Sequence, residues 1–268
     1  MRNVTETVKQ LIIINILFFI GTLLVSGPAY QYLALFFPEN PDFKAWQPIT
    51  YMFMHGGFMH ILFNMFALYS FGSALEQFWG SKKFLFFYIS CGLGAALLHN
   101  LFTYYELHTI LADISSMNIS SADLHEMMNK NMSDGAYYKS ELLIPQIQDL
   151  LEKYKFTNEQ FETLFNAACV NQSGSLGASG AIYGLLVAFA FMFPNAELML
   201  LFLPVPVKAK YFVPALLLID LYLGLNGNPL FGGSTGIAHF AHLGGALFGF
   251  IMMWYWKKNQ FHNNRWDR

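Results

Sequence analysis

Residues 175–193 read S-L-G-A-S-G-A-I-Y-G-L-L-V-A-F-A-F-M-F, an apolar run that opens among glycines and stops at Pro194-Asn195. No Asp, Glu, Lys or Arg occurs between Glu162 and Glu197. A helix that crosses a bilayer needs about 20 mostly apolar residues with few charges. The stretch meets that requirement, yet it carries Ser179 and Tyr183 where hydrocarbon would be expected. Polar side chains at membrane depth are costly and are functional candidates by default.

Working outward, the same charge-free pattern recurs between Lys9 and Glu39, Lys44 and Glu76, Lys83 and Glu106, and Asp220 and Lys257. Trimmed at turn signals, these intervals predict six helices, over 10–27, 57–79, 83–104, 177–193, 209–226 and 237–256. Gly27-Pro28 is expected to end the first helix, because proline lacks a donor and disfavours helix in the residue before it. Gly80-Ser81 makes a tight turn, and Asn226-Gly227-Asn228-Pro229 opens a loop closing at Gly232-Gly233-Ser234. The apolar run of the first segment is too long for a cleavable signal peptide, and no convincing cleavage site follows it. The composition agrees: 55% of the 268 residues are hydrophobic and 12% charged, against about 25% charged in a soluble domain. A net charge of −2 and two cysteines exclude a nucleic-acid binder and a disulfide scaffold. The fold class expected is an all-α membrane protein with a lipid bilayer as its surroundings.

Six spans put both termini on one side. Lys and Arg gather there (Lys9, Lys82, Lys83, Lys208, Lys210, Lys257 and Lys258 among them), which predicts cytoplasmic termini. The compartment expected is a bacterial plasma membrane. One composition shift interrupts the chain: residues 105–172 hold ten acids against four lysines, a local balance of −6. Glu141–Tyr154 and Asn158–Ala168 look amphipathic there, with Ile144, Ile147, Leu150 and Leu151 facing inward. The domains expected are a membrane core, 1–104 with 173–268, and an extracytoplasmic helical insert, 105–172.

Other polar residues sit inside apolar runs. The second span opens H-G-G-F-M-H-I-L-F-N, giving His55, His60 and Asn64; the sixth opens H-F-A-H-L-G-G-A-L-F-G, giving His239 and His242; the fifth holds Asp220. At 1.5 Å per residue from their terminal-side ends, Ser179, His242 and Asn64 fall at one depth, about 22–24 Å up. His60 is one turn above Asn64 on the same face, and Tyr183 one turn below Ser179. A hydroxyl beside an imidazole is a nucleophile with its general base. A tetrahedral intermediate then needs donors aimed at its oxyanion. His60, Asn64 and the backbone amides of Gly177, Ala178 and Ser179, free where a helix begins, are the candidates. Gly180 with Gly184, and Gly245 with Gly249, have the four-residue spacing that lets membrane helices approach closely. His239 is the rival base, one turn nearer the loop. His55 precedes its helix, and Asp220 is expected to make a helix-end or interhelical hydrogen bond rather than to serve His242.

The motifs G-A-S-G-A-I-Y-G around Ser179, A-H-L-G-G-A-L-F-G around His242, H-I-L-F-N from His60 and W-Q-P-I-T-Y-M-F-M-H from Trp46 together resemble the rhomboid family of intramembrane serine proteases. The resemblance covers about three-quarters of the chain. It implies a six-transmembrane-helix core with a wet cavity open to the extracytoplasmic side. It implies Ser179 as nucleophile, His242 as base, oxyanion roles for His60 and Asn64, and Tyr183 packed against the His242 ring. The substrates it implies are transmembrane segments of other proteins. The long 105–172 insert departs from the family's ordinarily short loop. The alternative is a silent relative that binds membrane helices. No cofactor or metal is expected: His55 and His60 lack the H-E-x-x-H spacing of a zinc protease. A transporter would need paired broken helices in two halves, and none is evident.

Overall fold

The computed structural model describes residues 4–134, 137–200, 203–226 and 237–259. The expected loop around Gly232-Gly233-Ser234 lies outside them. The chain is mostly helical. Helix α1, Glu6–Leu24, starts against the carboxylate of Glu76, which accepts hydrogen bonds from Thr7 N and Val8 N (both 3.0 Å), Thr5 Oγ1 (2.5 Å) and Ser81 Oγ (2.7 Å). A carboxylate at a helix N-terminus satisfies orphan amides and opposes the helix dipole, for about 0.3–2 kcal/mol. The charge-bearing Glu76 is 4% exposed and is therefore affordable only because it is so fully bonded. The chain then breaks at Val25, and α2, Ser26–Leu33, follows at once. Pro28 does not end a helix as expected. It sits in the first turn of α2, where its missing N–H has no partner to lose.

Residues 34–57 form a loop containing α3, Gln47–Thr50, and a 3₁₀ turn, Tyr51–Phe53. The next apolar segment is Phe58–Trp79. It is built from α4, Phe58–Ala67, a π turn, Leu68–Gly72, and α5, Ser73–Trp79. Helix α6, Ser81–Ala112, is longer than its charge-free interval and runs past the expected end near residue 104. Its last turns are held by the apolar side chains beyond it. Leu107, together with Met127, Leu143, Ile147 and Leu164, belongs to a second hydrophobic cluster built on α7, Ser121–Met128, α8, Ser140–Tyr154, and α9, Asn158–Gln172. Pro145 kinks α8, leaving Ile147 at φ −128°. The buried face of α8 is consequently Leu143 and Ile147, and the expected inward Ile144 is turned outward.

Helix α10, Ser179–Met192, is followed by an antiparallel hairpin, β1, Glu197–Leu200, and β2, Leu203–Lys208, which an all-α expectation did not include. Helices α11, Ala209–Leu225, and α12, Ile237–Asn259, complete the described chain. Among the described residues, Glu6–Leu24, Phe58–Trp79 and Ser81–Ala112 are long and apolar enough to cross a membrane. Large apolar side chains face outward on these and neighbouring helices, including Leu17, Phe86, Leu218 and Trp254. In water such a surface would drive aggregation; against lipid it costs nothing.

Helix α12 lies against α10 backbone to backbone. A Cβ at Gly245 would run into the Gly180 carbonyl, and one at Gly249 would sit 2.8 Å from Gly184 Cα. On its other side a Cβ at Gly244 would sit 2.7 Å from the Gly94 carbonyl of α6. Small residues are what permits this close packing, and dispersion over the contact replaces the hydrophobic effect that lipid cannot supply.

Candidate active site

The segment leading into α10 is held by α2 and by the loop before α4. Leu35 and Ser175 exchange backbone hydrogen bonds of 2.9 and 2.8 Å, and Tyr30 Oη bonds both the amide and the carbonyl of Gly174. Tyr51 adds a two-way tie. Its hydroxyl donates to the Gly92 carbonyl at 2.7 Å, and its carbonyl accepts from Gly177 N at 2.9 Å. The W-Q-P-I-T-Y stretch thus fixes the entry to α10, and Ser179 is the first residue of that helix.

Ser179 Oγ lies 2.9 Å from His242 Nε2. The Tyr183 ring stacks on the His242 ring at 4.2 Å between centroids with a 9° tilt. On the other edge of the imidazole, His242 Nδ1 is 3.4 Å from Asp220 Oδ1. The same carboxylate oxygen is 2.5 Å from His239 Nδ1. Asp220 is 1% exposed. The sequence offered a helix-end or an interhelical hydrogen bond for it; the structure shows the interhelical one, to His239, and adds a contact with His242 that the sequence did not suggest. The available signal was its position as the one acid in the 209–226 run.

The two imidazoles differ in what they meet. His239 is buried and turned to Asp220, while His242 alone meets the serine. If each donates its Nδ1–H to the carboxylate, Nε2 of His242 is left as an acceptor for the Ser179 hydroxyl. That tautomer follows from the hydrogen bonds. The donor atoms of Asp220, His239 and His242 lie within 4.8 Å of one another, near enough to share a cation. The two imidazole–carboxylate hydrogen bonds account for the grouping on their own.

On the far side of Ser179, Gly177 adopts φ +128°. A Cβ there would sit 2.9 Å from His60 Nε2, so both the conformation and the space require glycine. Gly56 N donates to His60 Nδ1 at 3.3 Å, leaving Nε2 to carry the proton and point toward the Ser179 side. His55 is buried with its ring 5.0 Å from that of His60. Burial and the nearby His60 push His55 down to about 4, so it is neutral at ordinary pH.

Two details differ from the sequence expectation. The Gly177 amide is taken by Tyr51, so of the three expected donors only those of Ala178 and Ser179 remain. Asn64 Nδ2 donates to the His60 carbonyl of its own helix at 2.8 Å, a common use of a polar side chain inside an apolar helix. To serve an oxyanion it would offer its second N–H or rotate.

A model of the Rhomboid domain matches residues 42–112 and 158–259. An uncharacterized mitochondrial rhomboid protein of Schizosaccharomyces pombe is 28% identical over 227 residues, covering 81% of this chain and 53% of that protein. Rhomboid protein 1, mitochondrial, of Saccharomyces cerevisiae is 26% identical over 206 residues, covering 77% of the chain and 40% of the relative. Rhomboid protease GlpG of Klebsiella pneumoniae is 36% identical over 73 residues, 27% of the chain and 26% of the protease. The chain thus spans about half or less of the length of these relatives. The expected bacterial plasma membrane is corrected by these matches: the two relatives aligned over most of the chain are mitochondrial by name. The Lys and Arg bias could not have decided this, since it reports which face of a bilayer a loop occupies and not which bilayer.

Proposed function

The chain belongs to the rhomboid family, and from that premise we propose that it is an intramembrane serine endopeptidase that cleaves transmembrane segments of other membrane proteins. The observation that carries this reading is the 2.9 Å hydrogen bond between Ser179 Oγ and His242 Nε2. In the proposed reaction Ser179 Oγ attacks the scissile carbonyl as His242 Nε2 takes its proton. The tetrahedral intermediate expels the amine, which leaves with the proton from His242, and an acyl-Ser179 ester remains. Water, deprotonated by the same imidazole, then hydrolyses the ester and restores the hydroxyl.

The oxyanion of each tetrahedral stage is received by the Ala178 and Ser179 amides and by His60 Nε2–H, with Asn64 joining them. Tyr183 limits His242 to one ring plane. Asp220 fixes the imidazole tautomer through Nδ1 and offsets the imidazolium charge that forms as the proton arrives, the part an acid plays in a Ser-His-Asp triad. It is a positioning residue, acting through His242.

The topology we propose has six membrane crossings, made by α1, the α4–α5 segment, α6, α10, α11 and α12. Residues 105–172 cap the Ser179 end outside the lipid. The names of the relatives matched over most of the chain support a mitochondrial membrane as its place.

The test is labelling by a fluorophosphonate probe in proteoliposomes, alongside cleavage of a single-span test substrate. Wild type is expected to label and to cleave; Ser179→Ala and His242→Ala are expected to do neither while eluting as folded protein. A wild type that binds the single-span protein but neither labels nor cleaves would identify a silent helix-binding relative instead.

A further inference from the structure

A cavity of about 660 Å³ lies between α10, α11 and α12. Its walls are apolar, formed by Val187 and Phe191 of α10, Val213 and Leu217 of α11, and Leu247 and Phe250 of α12. Two lysines complete the lining: Lys210, in the first turn of α11, and Lys257, in the last turn of α12. Pro194, just past the end of α10, also borders it. Both lysines therefore stand at the end of the bundle opposite Ser179, the first residue of α10. Both are exposed, and neither makes an ion pair with a carboxylate among the described residues. No acidic side chain lines the cavity.

We propose that this cavity binds one anionic glycerophospholipid, with an acyl chain along the apolar walls and the phosphate between Lys210 and Lys257. The proposal rests on the membrane embedding of the family and not on catalysis by Ser179. Three features select this occupant. The volume falls within the range of about 300–1,000 Å³ usual for small-ligand sites. The cavity is apolar along its depth and cationic only at one end, which matches an amphiphile of opposite headgroup sign. A free phosphate would leave the apolar walls unused, and a zwitterionic headgroup would bring its own cation against two ammonium groups. Basic pockets between membrane helices hold anionic headgroups for this reason, each lysine being worth about a fivefold gain.

The experiment uses the full chain purified in mild detergent and titrated with phosphatidylglycerol or phosphatidylcholine, bound lipid being counted by native mass spectrometry. Wild type is expected to retain one phosphatidylglycerol in preference to phosphatidylcholine. Lys210→Gln with Lys257→Gln is expected to weaken that binding roughly thirtyfold, and the paired Arg substitutions to keep it. Leu247→Trp, at a position 47% exposed and so tolerant of bulk, narrows the cavity with both lysines intact and is expected to displace the lipid. Fluorophosphonate labelling of each variant checks that it is folded; should wild type not label, its thermal unfolding serves instead, so the two proposals fail separately. Equal retention of the two lipids by wild type would overturn the proposal, as would undiminished phosphatidylglycerol binding in Leu247→Trp. Loss of single-span protein binding in the lysine variant, with phosphatidylglycerol unaffected, would also overturn it and make the groove a protein contact.

Discussion

Asp220→Asn removes one charge and leaves the shape of the site nearly unchanged. His242 Nδ1 and Asp220 Oδ1 are 3.4 Å apart. In the proposed reaction His242 takes the serine proton, and an imidazolium then faces that carboxylate. Two unit charges at 3.4 Å attract by about 5 kcal/mol at an effective dielectric constant of 20, and by about 1 kcal/mol in water. The His242 side chain is 22% exposed and the Asp220 side chain 2%, so the pair lies between these limits. The contact is long, and the carboxylate is shared with His239, which lowers the expectation to about 2–3 kcal/mol. That corresponds to a loss of roughly 30–150-fold in kcat. KM should change little, because Asp220 acts on a charge that appears only after substrate is bound. The assay is cleavage of a single-span test substrate in proteoliposomes, with the fluorophosphonate labelling rate as a second readout. Asp220→Glu should recover part of the rate. His239→Gln is the control, since it weakens the tie between α11 and α12 while leaving the carboxylate to His242. A loss below threefold in Asp220→Asn would refute the reasoning. So would an equal loss in His239→Gln, which would show that the carboxylate merely braces two helices.

Other outcomes follow from the same geometry. Asn64→Ala should slow turnover by roughly 10²–10³ if Asn64 donates to the oxyanion, and a loss under threefold in kcat would remove it from that role. Gly245→Val must push α12 away from the Gly180 carbonyl and should destabilise the protein by about 1–3 kcal/mol, read as a lowered unfolding temperature in detergent. An unchanged temperature would mean the helices have room to spare. In the proposed cap of residues 105–172, hydrogen bonds from Lys153, Tyr154 and Ser120 hold Asp123 down to about 2, below its usual 3.8. A depressed acid stabilises the fold above its unfolded value and loses that contribution as pH falls through the folded one. Proteolysis between α7 and α8 should therefore quicken between pH 4 and about 2, and Asp123→Asn should remove that dependence. Protection that is flat across this window would show that the contact contributes nothing.

Local chemistry made much of the helical framework legible. Charge-free length marks apolar helices wherever they lie, and Gly80 and Pro194 fall at helix ends because turn residues act on their own backbone. Pro28 was misread for an equally local reason: a proline compatible with a first helical turn looks the same in sequence as one that stops a helix. The hairpin of β1 and β2 was hidden by the shortness of both strands and by Pro204 and Pro206 in β2, which argue against a strand. In the insert, the kink at Pro145 turned the buried face of α8 by an amount that ideal periodicity does not contain.

By itself, the sequence determined that apolar helices carry a serine, the imidazoles of His60, His239 and His242, and an aspartate, with glycines spaced for close approach. Those facts depend on composition and on positions a few residues apart. Only the tertiary structure decided that Asp220 reaches both His239 and His242, and that Tyr51 occupies the Gly177 amide. Such contacts depend on how each helix is rotated about its axis and slid along its neighbour. A helix that is apolar all round gives no face from which that rotation can be read. In this protein it is set by backbone contacts such as Gly245 on Gly180, whose partners lie far apart in the chain.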